Sequence, residues 1–141
     1  MIVAVSTSDG KRITNDHFGE GDKFLIYHVD FNGYRLIEER INTSPEEEEH
    51  GSAEKAKGIS QILSDIPILL GYQFGPNIMR IKDKFLPIVS RERDIEKALY
   101  LMVRNYEEIK REEERERGNV IIMDGGKIKI IKVRDVNAKD F

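Results

Sequence analysis

The chain has 141 residues, the usual size of one folded domain and too few to divide comfortably into two. Its 23 lysines and arginines against 26 aspartates and glutamates give a net charge of −3, so no bulk positive field holds nucleic acid through its phosphates. The lack of cysteine excludes disulfides and the thiolate ligands of iron–sulfur clusters and structural zinc. Any metal must be held by histidine, carboxylate, methionine or backbone groups.

The apolar runs of the sequence bear on location. The opening MIVAVSTSDG is too short for the core of a signal peptide and has no basic residues ahead of it. No apolar run approaches the roughly 20 residues that span a bilayer. We therefore expect a soluble, cytoplasmic protein that does not bind membrane. Charged residues make up 35% of the chain, a composition that leans towards heat-adapted proteins.

The N-terminal third predicts three strands. Residues 2–5 are apolar and β-branched, and the polar run over 6–22 has the composition of a long loop. Two more strand-like segments, 23–31 and 34–41, flank Asn32-Gly33, a strong hairpin signal because both residues tolerate positive φ. The second and third strands are therefore predicted to be antiparallel.

The middle of the chain alternates helices with strands. Apolar residues at helical spacing predict a helix over 53–66, and Pro67 ends it. The apolar run over 68–72 has the length of a strand that is buried on both faces. A turn rich in glycine and proline over 71–77 leads to a short helix over 77–84.

The C-terminal part begins with a strand over 86–89 and continues with the clearest helix of the sequence. Its apolar stripe runs from Ile95 to Ile109 in steps of three and four residues. Nearly all residues from there to Gly118 are charged, and we expect these last turns to project into solvent. Asp124-Gly125-Gly126 predicts a terminal β-hairpin, which needs a sheet edge or a partner to cover it and is thus a candidate for self-association.

The order of these elements predicts that several loops meet. Strands one and three point the same way, and strands four and five do so too if strand four pairs with strand one and the crossover is right-handed. The loops at 6–22, 42–52 and 71–77 and the turn around Ser90 then share one edge. Ligands bind beyond such edges in open α/β sheets.

The first of these loops carries His17, between Asp16 and Phe18-Gly19. Glycine allows a bound group to approach the backbone, and Asp16 is placed to orient the imidazole, which in its neutral form ligates metals. The alternative interpretation is a histidine that hydrogen-bonds the backbone and holds the turn. Both interpretations stay open from the sequence alone.

Two other loops offer groups that attract anions. His50-Gly51-Ser52 places a histidine beside the first N–H groups of a helix, although Ser52 equally fits a simple capping role. The turn from Gly71 through Gly75 to Asn77 joins a strand to a helix, a geometry whose N–H groups attract phosphates or metal–oxo anions. Ordinary connections use the same residues.

Two other classes of function remain as alternatives. Asp9, Asp16 and Asp22 are a candidate Mg²⁺-binding set for a phosphoesterase or nuclease, because hard cations take clustered oxygen ligands. Aspartates in one loop are more often turn formers. A pure interaction module that acts through the C-terminal hairpin is the other alternative. His28 lies within a strand and is interpreted as structural.

Three segments together resemble the dinitrogenase iron-molybdenum-cofactor-binding family. The start IVAVSTSDGKRITNDHFGEGDKFLIYHVD resembles that family's opening, with a His-Phe-Gly loop between the first two strands. HGSAEKAKGISQIL resembles its His-Gly segment before the first helix, and ILLGYQFGPNIMRI resembles its glycine-rich turn after strand four. The resemblance covers roughly residues 1–106.

The resemblance implies a ribonuclease-H-like, three-layer α/β domain over 1–106, with a five-stranded mixed sheet flanked by helices. The charged helix end and hairpin over 107–141 form a C-terminal extension of the same structural unit. The implied role is nitrogenase accessory: holding or delivering an iron-molybdenum or iron–sulfur-type cluster, here without cysteine ligands, and exchanging it with a donor or acceptor protein. Catalysis is not required.

The resemblance also assigns residues by position. His17 is the leading candidate metal ligand and His50 the second. The residues that shape the pocket are Phe18, Gly19, Gly51, Gly71 and Gly75.

Overall fold

The computed structural model describes residues 1–46 and 53–141. Their backbone forms seven strands and four α-helices. The strands are β1 (Ile2–Thr7), β2 (Lys23–Asp30), β3 (Gly33–Ile41), β4 (Ile68–Gly71), β5 (Leu86–Ser90), β6 (Asn119–Asp124) and β7 (Lys127–Lys132). The helices are α1 (Ala53–Ile62), α2 (Ile78–Ile81), α3 (Ile95–Arg104) and α4 (Tyr106–Glu113).

All seven strands belong to one mixed sheet, in the order β3-β2-β1-β4-β5-β6-β7. β2 pairs antiparallel with both β1 and β3, whereas β1, β4 and β5 pair in parallel. The predicted order of the first five strands is confirmed. The turn between β2 and β3 is held by Asp30, whose Oδ1 accepts hydrogen bonds from the main-chain N–H groups of Asn32 at 2.8 Å and Gly33 at 3.1 Å.

The C-terminal hairpin extends this sheet, so the prediction of a five-stranded sheet was wrong. β6 pairs in parallel with β5 and antiparallel with β7. Val120, Ile121 and Met123 of β6 are fully buried, and the free edge of β5 gives this apolar strand the cover that it needs. The ribonuclease-H-like topology and the division of the chain at residue 106 stay predictions.

Helices cover both faces of the sheet. Alternate residues of a strand point to opposite faces, and β1 shows this: Val3 belongs to one apolar cluster and Ala4 to the other. The first cluster includes Leu99 of α3, and the second includes Ile59 of α1. Each such fully buried large side chain stabilises the fold by about 1.5–3 kcal/mol.

The charged end of the long helix differs from the prediction. α3 ends at Arg104, α4 follows and ends at Glu113, and Glu112 is only 2% exposed. Glu112 Oε1 accepts a hydrogen bond from Asn119 Nδ2 at 2.8 Å. The expectation that this whole segment projects into solvent was therefore wrong, because one of its carboxylates anchors the helix to the start of β6.

The helices are short compared with a lipid bilayer. α1 and α3 have 10 residues each. Among residues 1–46 and 53–141, no helix is long and apolar enough to cross a membrane.

Candidate functional site

The loops that follow β1 and β4 are in direct contact, as the predicted strand order requires. His17 and Gln73 form an isolated parallel bridge, and the Phe18 main-chain N–H donates to the Gln73 carbonyl at 2.8 Å. The Gln73 side chain donates from Nε2 to the Asn15 carbonyl at 2.6 Å. These bonds fix His17 beside the glycine-rich turn over 71–77.

The imidazole of His17 lies directly against Gly75. A Cβ atom at Gly75 would come within 2.6 Å of His17 Cε1, 2.7 Å of Nδ1 and 2.8 Å of Nε2. Gly75 also has φ +72°, a conformation that favours glycine. Glycine is thus required here both for the turn and for the seat of the half-buried ring. Asp16 fixes the backbone, since its Oδ1 accepts the His17 main-chain N–H at 2.7 Å.

Phe18 anchors the loop in the protein core. Its ring is fully buried between Phe24, at a centroid distance of 5.3 Å, and Phe74, at 5.1 Å. Gly71 makes room for it, because a Cβ there would lie 3.1 Å from Phe18 Cδ2. Phe18 and Gly71 therefore shape this corner from below, while the neighbouring His17 remains at its surface.

Two polar side chains hold the turn after Phe18. Ser6 Oγ, which is buried, donates to the Phe18 carbonyl at 2.5 Å. Asn42 Nδ2 donates to the carbonyls of Gly19 and Gly21, both at 2.7 Å. The sequence analysis missed Asn42, because one asparagine after a strand is ordinary loop composition and its partners lie more than 20 residues away.

A buried ion pair lies under the same turn. Lys55 Nζ, on the first turn of α1, is 3.5 Å from Glu20 Oε1, and the Lys55 side chain is only 5% exposed. A Cβ at Gly19 would lie 3.0 Å from Lys55 Cε, so Gly19 permits this approach. The amphipathic pattern of α1 did not reveal this lysine as a buried residue.

The C-terminal segment contacts the glycine-rich turn over 71–77 through Phe141. The Phe74 main-chain N–H donates to the Phe141 main-chain oxygen at 2.5 Å, and the Phe141 side chain is 5% exposed. Asn77 is buried as well, with Oδ1 accepting from Arg80 Nη1 at 2.8 Å. These groups therefore form part of the frame of the turn. His50, Gly51 and Ser52 lie outside the described residues.

Two carboxylates of the loop after β1, those of Asp9 and Asp16, accept hydrogen bonds from the loop's own backbone. Asp9 Oδ1 accepts the main-chain N–H groups of Arg12 and Lys11, both at 2.8 Å, and these bonds lower the pKa of Asp9 to about 2. In the described part of the chain, no three histidine or carboxylate residues form a group that could hold a metal ion. Asp9, Asp16 and Asp22 thus do not assemble the Mg²⁺ site that the phosphoesterase alternative needs.

Comparison with known proteins identifies the class of this domain. A family model described as dinitrogenase iron-molybdenum cofactor matches residues 1–105. This match covers most of the chain, and the protein belongs to that family. The matched range includes β1 to β5 and α1 to α3, and hence the loops after β1 and β4 that meet at His17. α4, β6, β7 and Phe141, which contacts the turn after β4, lie beyond it. A comparison with curated proteins found no match.

Proposed function

We propose that this protein carries an iron-molybdenum-type metal cluster, or a related small anionic ligand, at the corner where the loops after β1 and β4 meet. Membership of the family supports a cofactor-related binding or carrying role. The observation that carries the location is the position of His17: its half-buried imidazole packs on Gly75, and its main chain forms a β-bridge with Gln73.

The donor chemistry of the corner suits cargo that is passed on. The chain has no cysteine, so imidazole, a nitrogen ligand that suits iron, is the ligand that this corner offers in place of a thiolate. His17 is the main ligand in this proposal, and His50 is the second. A cargo held by one or two imidazoles exchanges more readily than one held by several thiolates. Such weak attachment allows the cluster to be taken up from a donor protein and passed on to an acceptor protein.

The protein acts as a carrier in this proposal and not as a catalyst. The side chains around His17 hold backbone: Asp16 binds the His17 N–H, Gln73 binds the Asn15 carbonyl, and Asn42 binds two further carbonyls. These hydrogen bonds fix the backbone against which a ligand would bind.

Metal analysis of purified variants tests the proposal. The full chain, His17→Ala and the control His28→Ala are incubated anaerobically with iron, molybdate and sulfide, desalted, and measured by elemental mass spectrometry and visible absorption. His28 is a matched control because it lies on β2 and faces Asp30, with Nδ1 3.9 Å from Oδ2. We expect stoichiometric metal in the wild type and in His28→Ala, and its loss in His17→Ala.

Two results would contradict this. Negligible metal in all three proteins would reject cluster carrying, and full metal in His17→Ala would reject His17 as the ligand. A further variant, His50→Ala, measures the second ligand: we expect a partial loss of metal.

Self-association through the C-terminal hairpin is not part of this proposal. β7 is the last strand of the sheet, and Lys127, Lys129 and Lys132 are exposed along it. Natural sheets place lysine on edge strands to oppose pairing with another chain. The hairpin interface therefore stays an untested prediction of the sequence.

A further inference from the structure

A second polar cleft lies beside the His17 loop, at the same edge of the sheet. It has a volume of about 250 Å³ and brings together the loop after β1 and the turn after β5. None of its lining residues is a proposed ligand of the cluster; Asn15 is shared only through its carbonyl, which accepts the Gln73 hydrogen bond. They are Ser8, Asp9, Arg12, Thr14, Asn15 and Arg93.

Arg93 is positioned in this cleft by a hydrogen bond and a ring contact. Its Nε donates to the Ile13 carbonyl at 3.0 Å, and its guanidinium carbon lies 6.0 Å from the centre of the Tyr72 ring. The main chain supports the same contact, since the Ile13 N–H donates to the Arg93 carbonyl at 2.7 Å. Among the described residues, neither Nη1 nor Nη2 of Arg93 has a hydrogen-bond or ion-pair partner. These two terminal nitrogens of the guanidinium are thus available to donate hydrogen bonds to a ligand.

Arg12 supplies the second positive charge. Its main chain is fixed, because Thr7 Oγ1 donates to the Arg12 carbonyl at 2.6 Å, and its Nε lies 3.5 Å from Asp9 Oδ2. The lining residues therefore carry two guanidinium groups and one carboxylate, a net charge of 2 − 1 = +1. Asp9 does not compete strongly for Arg93, because its Oδ1 is already bonded to two backbone N–H groups.

Neutral donors complete the lining. In the described part of the chain, the side chains of Thr14 and Asn15 form no hydrogen bond with other protein groups. Ser8 Oγ accepts the Asp22 main-chain N–H at 3.2 Å, so its own hydrogen remains available for donation. The cleft thus combines two charged forks with hydroxyl and amide donors, a set that matches the oxygens of a small anion.

We propose that this cleft binds a tetrahedral oxyanion between Arg12 and Arg93. The ligand class is inorganic phosphate, sulfate or molybdate, or the phosphate group of a small organic phosphoester. The planar guanidinium of arginine matches pairs of oxygens on such anions, and Arg93 presents its two terminal nitrogens without a competing carboxylate partner. This site goes beyond cluster carrying and does not depend on His17.

Calorimetric titration of the full chain tests the proposal. At low ionic strength the protein is titrated separately with inorganic phosphate, molybdate and glycerol phosphate. We expect saturable binding at one site for at least one of these anions. Arg93→Gln should weaken that binding about tenfold to hundredfold, the usual worth of charge-assisted hydrogen bonds. Arg91→Gln is the matched control: the same charge change at an exposed arginine outside the cleft, with unchanged affinity expected.

The outcomes separate the possibilities. Binding of phosphate or molybdate alone identifies a free oxyanion as the ligand, whereas tighter binding of glycerol phosphate identifies an organic phosphoester. No saturable binding in the wild type, or an equal loss in Arg91→Gln and Arg93→Gln, overturns the proposal. If Arg93→Gln fails to fold in thermal melting, Arg12→Gln, on the exposed side of the cleft, decides the question with an expected loss of at least several-fold. Retained oxyanion binding in His17→Ala shows that the two sites are independent, whatever its metal content.

Discussion

The His17 corner and the C-terminal segment from β6 onward are held together by different means. At the corner, individual side chains donate hydrogen bonds to one or two backbone carbonyls: Ser6 to Phe18, Asn42 to Gly19 and Gly21, and Gln73 to Asn15. The C-terminal segment is held instead by the hydrogen-bonded ladder between β5 and β6 and by the burial of apolar side chains. The site thus depends on one buried ring, Phe18, and on the positions of particular polar atoms around it, whereas the extension depends mainly on apolar area that is spread over many buried side chains.

This difference predicts how the two regions respond to substitution. Loss of one hydrogen-bond partner leaves a buried carbonyl unsatisfied, which is costly at a point where no neighbour can replace it. In a hydrogen-bonded ladder or an apolar cluster, many other contacts remain when one is lost, so the cost in stability is smaller. Paired substitutions, one in each region, test the comparison directly.

The largest effect is expected from truncating the buried phenylalanine of the corner. Phe18→Ala removes a ring stacked on both faces and should lower the free energy of unfolding by about 3–5 kcal/mol. Phe141→Ala also removes a buried ring, but the terminal segment can move into the space, so the cost should be smaller. Urea denaturation measures both. Equal losses of unfolding free energy in the two variants would contradict the expected difference between the two regions.

Alanine in place of two left-handed glycines gives the next effect. Gly125→Ala, at φ +60° with no atom within 4 Å of the new Cβ, should cost only the conformational strain of about 1–2 kcal/mol. Gly75→Ala, at φ +72°, adds a clash with the His17 ring and should cost more. It should also lower metal uptake in the assay of His17, which Gly125→Ala should leave unchanged. Equal stability and equal uptake in the two variants would show that the ring does not rest on Gly75.

Two asparagines provide a smaller, isosteric test. Asn42→Asp keeps the acceptor that binds the Ser44 N–H but loses both donated hydrogen bonds, and we expect a loss of about 1–3 kcal/mol. Asn137→Asp keeps its acceptor for the Arg134 N–H and loses one donated bond to the Lys132 carbonyl, at an exposed position. Its loss should stay below about 1 kcal/mol. Thermal unfolding that ranks them in the opposite order would contradict the comparison.

Acid should produce the smallest effect, through Asp9 in the loop after β1. Backbone hydrogen bonds from Arg12 and Lys11 lower the pKa of Asp9 from 3.8 to about 2 in the folded protein. Asp9 therefore stabilises the fold above pH 3.8, and this contribution is lost as the pH falls through about 2. The melting temperature of the wild type should fall more steeply over that range than that of Asp9→Asn. Parallel curves would show that Asp9 does not hold its turn.

The sequence predicted the parts of the fold that depend on local signals. Asn32-Gly33 and Asp124-Gly125-Gly126 indicated both hairpins, and the connections between the first five strands indicated their order. The place of β6 was not predictable, because a hairpin's alternating pattern does not say which edge it joins. The burial of Glu112 was missed for a similar reason: its partner, Asn119, belongs to another element.

The candidate site follows the same rule. The meeting of the loops after β1 and β4 followed from strand direction, and the contact of His17 with Gln73 agrees with it. The bonds that fix this contact join residues far apart in the chain, and residue type alone does not identify such pairs. Arg93 is the clearest case, since nothing near it in sequence indicates that it binds the Ile13 carbonyl.

The long loops behind these contacts have a kinetic consequence. The Gln73–Asn15 bond closes 58 residues of chain and the Arg93–Ile13 bond closes 80, whereas the Asp30 turn closes two or three. Contacts across long chain separations form slowly, because much conformational freedom is lost before they stabilise anything. The hairpins are therefore expected to form within microseconds to tens of microseconds, and the carboxyl edge of the sheet last. A newly made chain would become able to bind its ligands only at the end of folding.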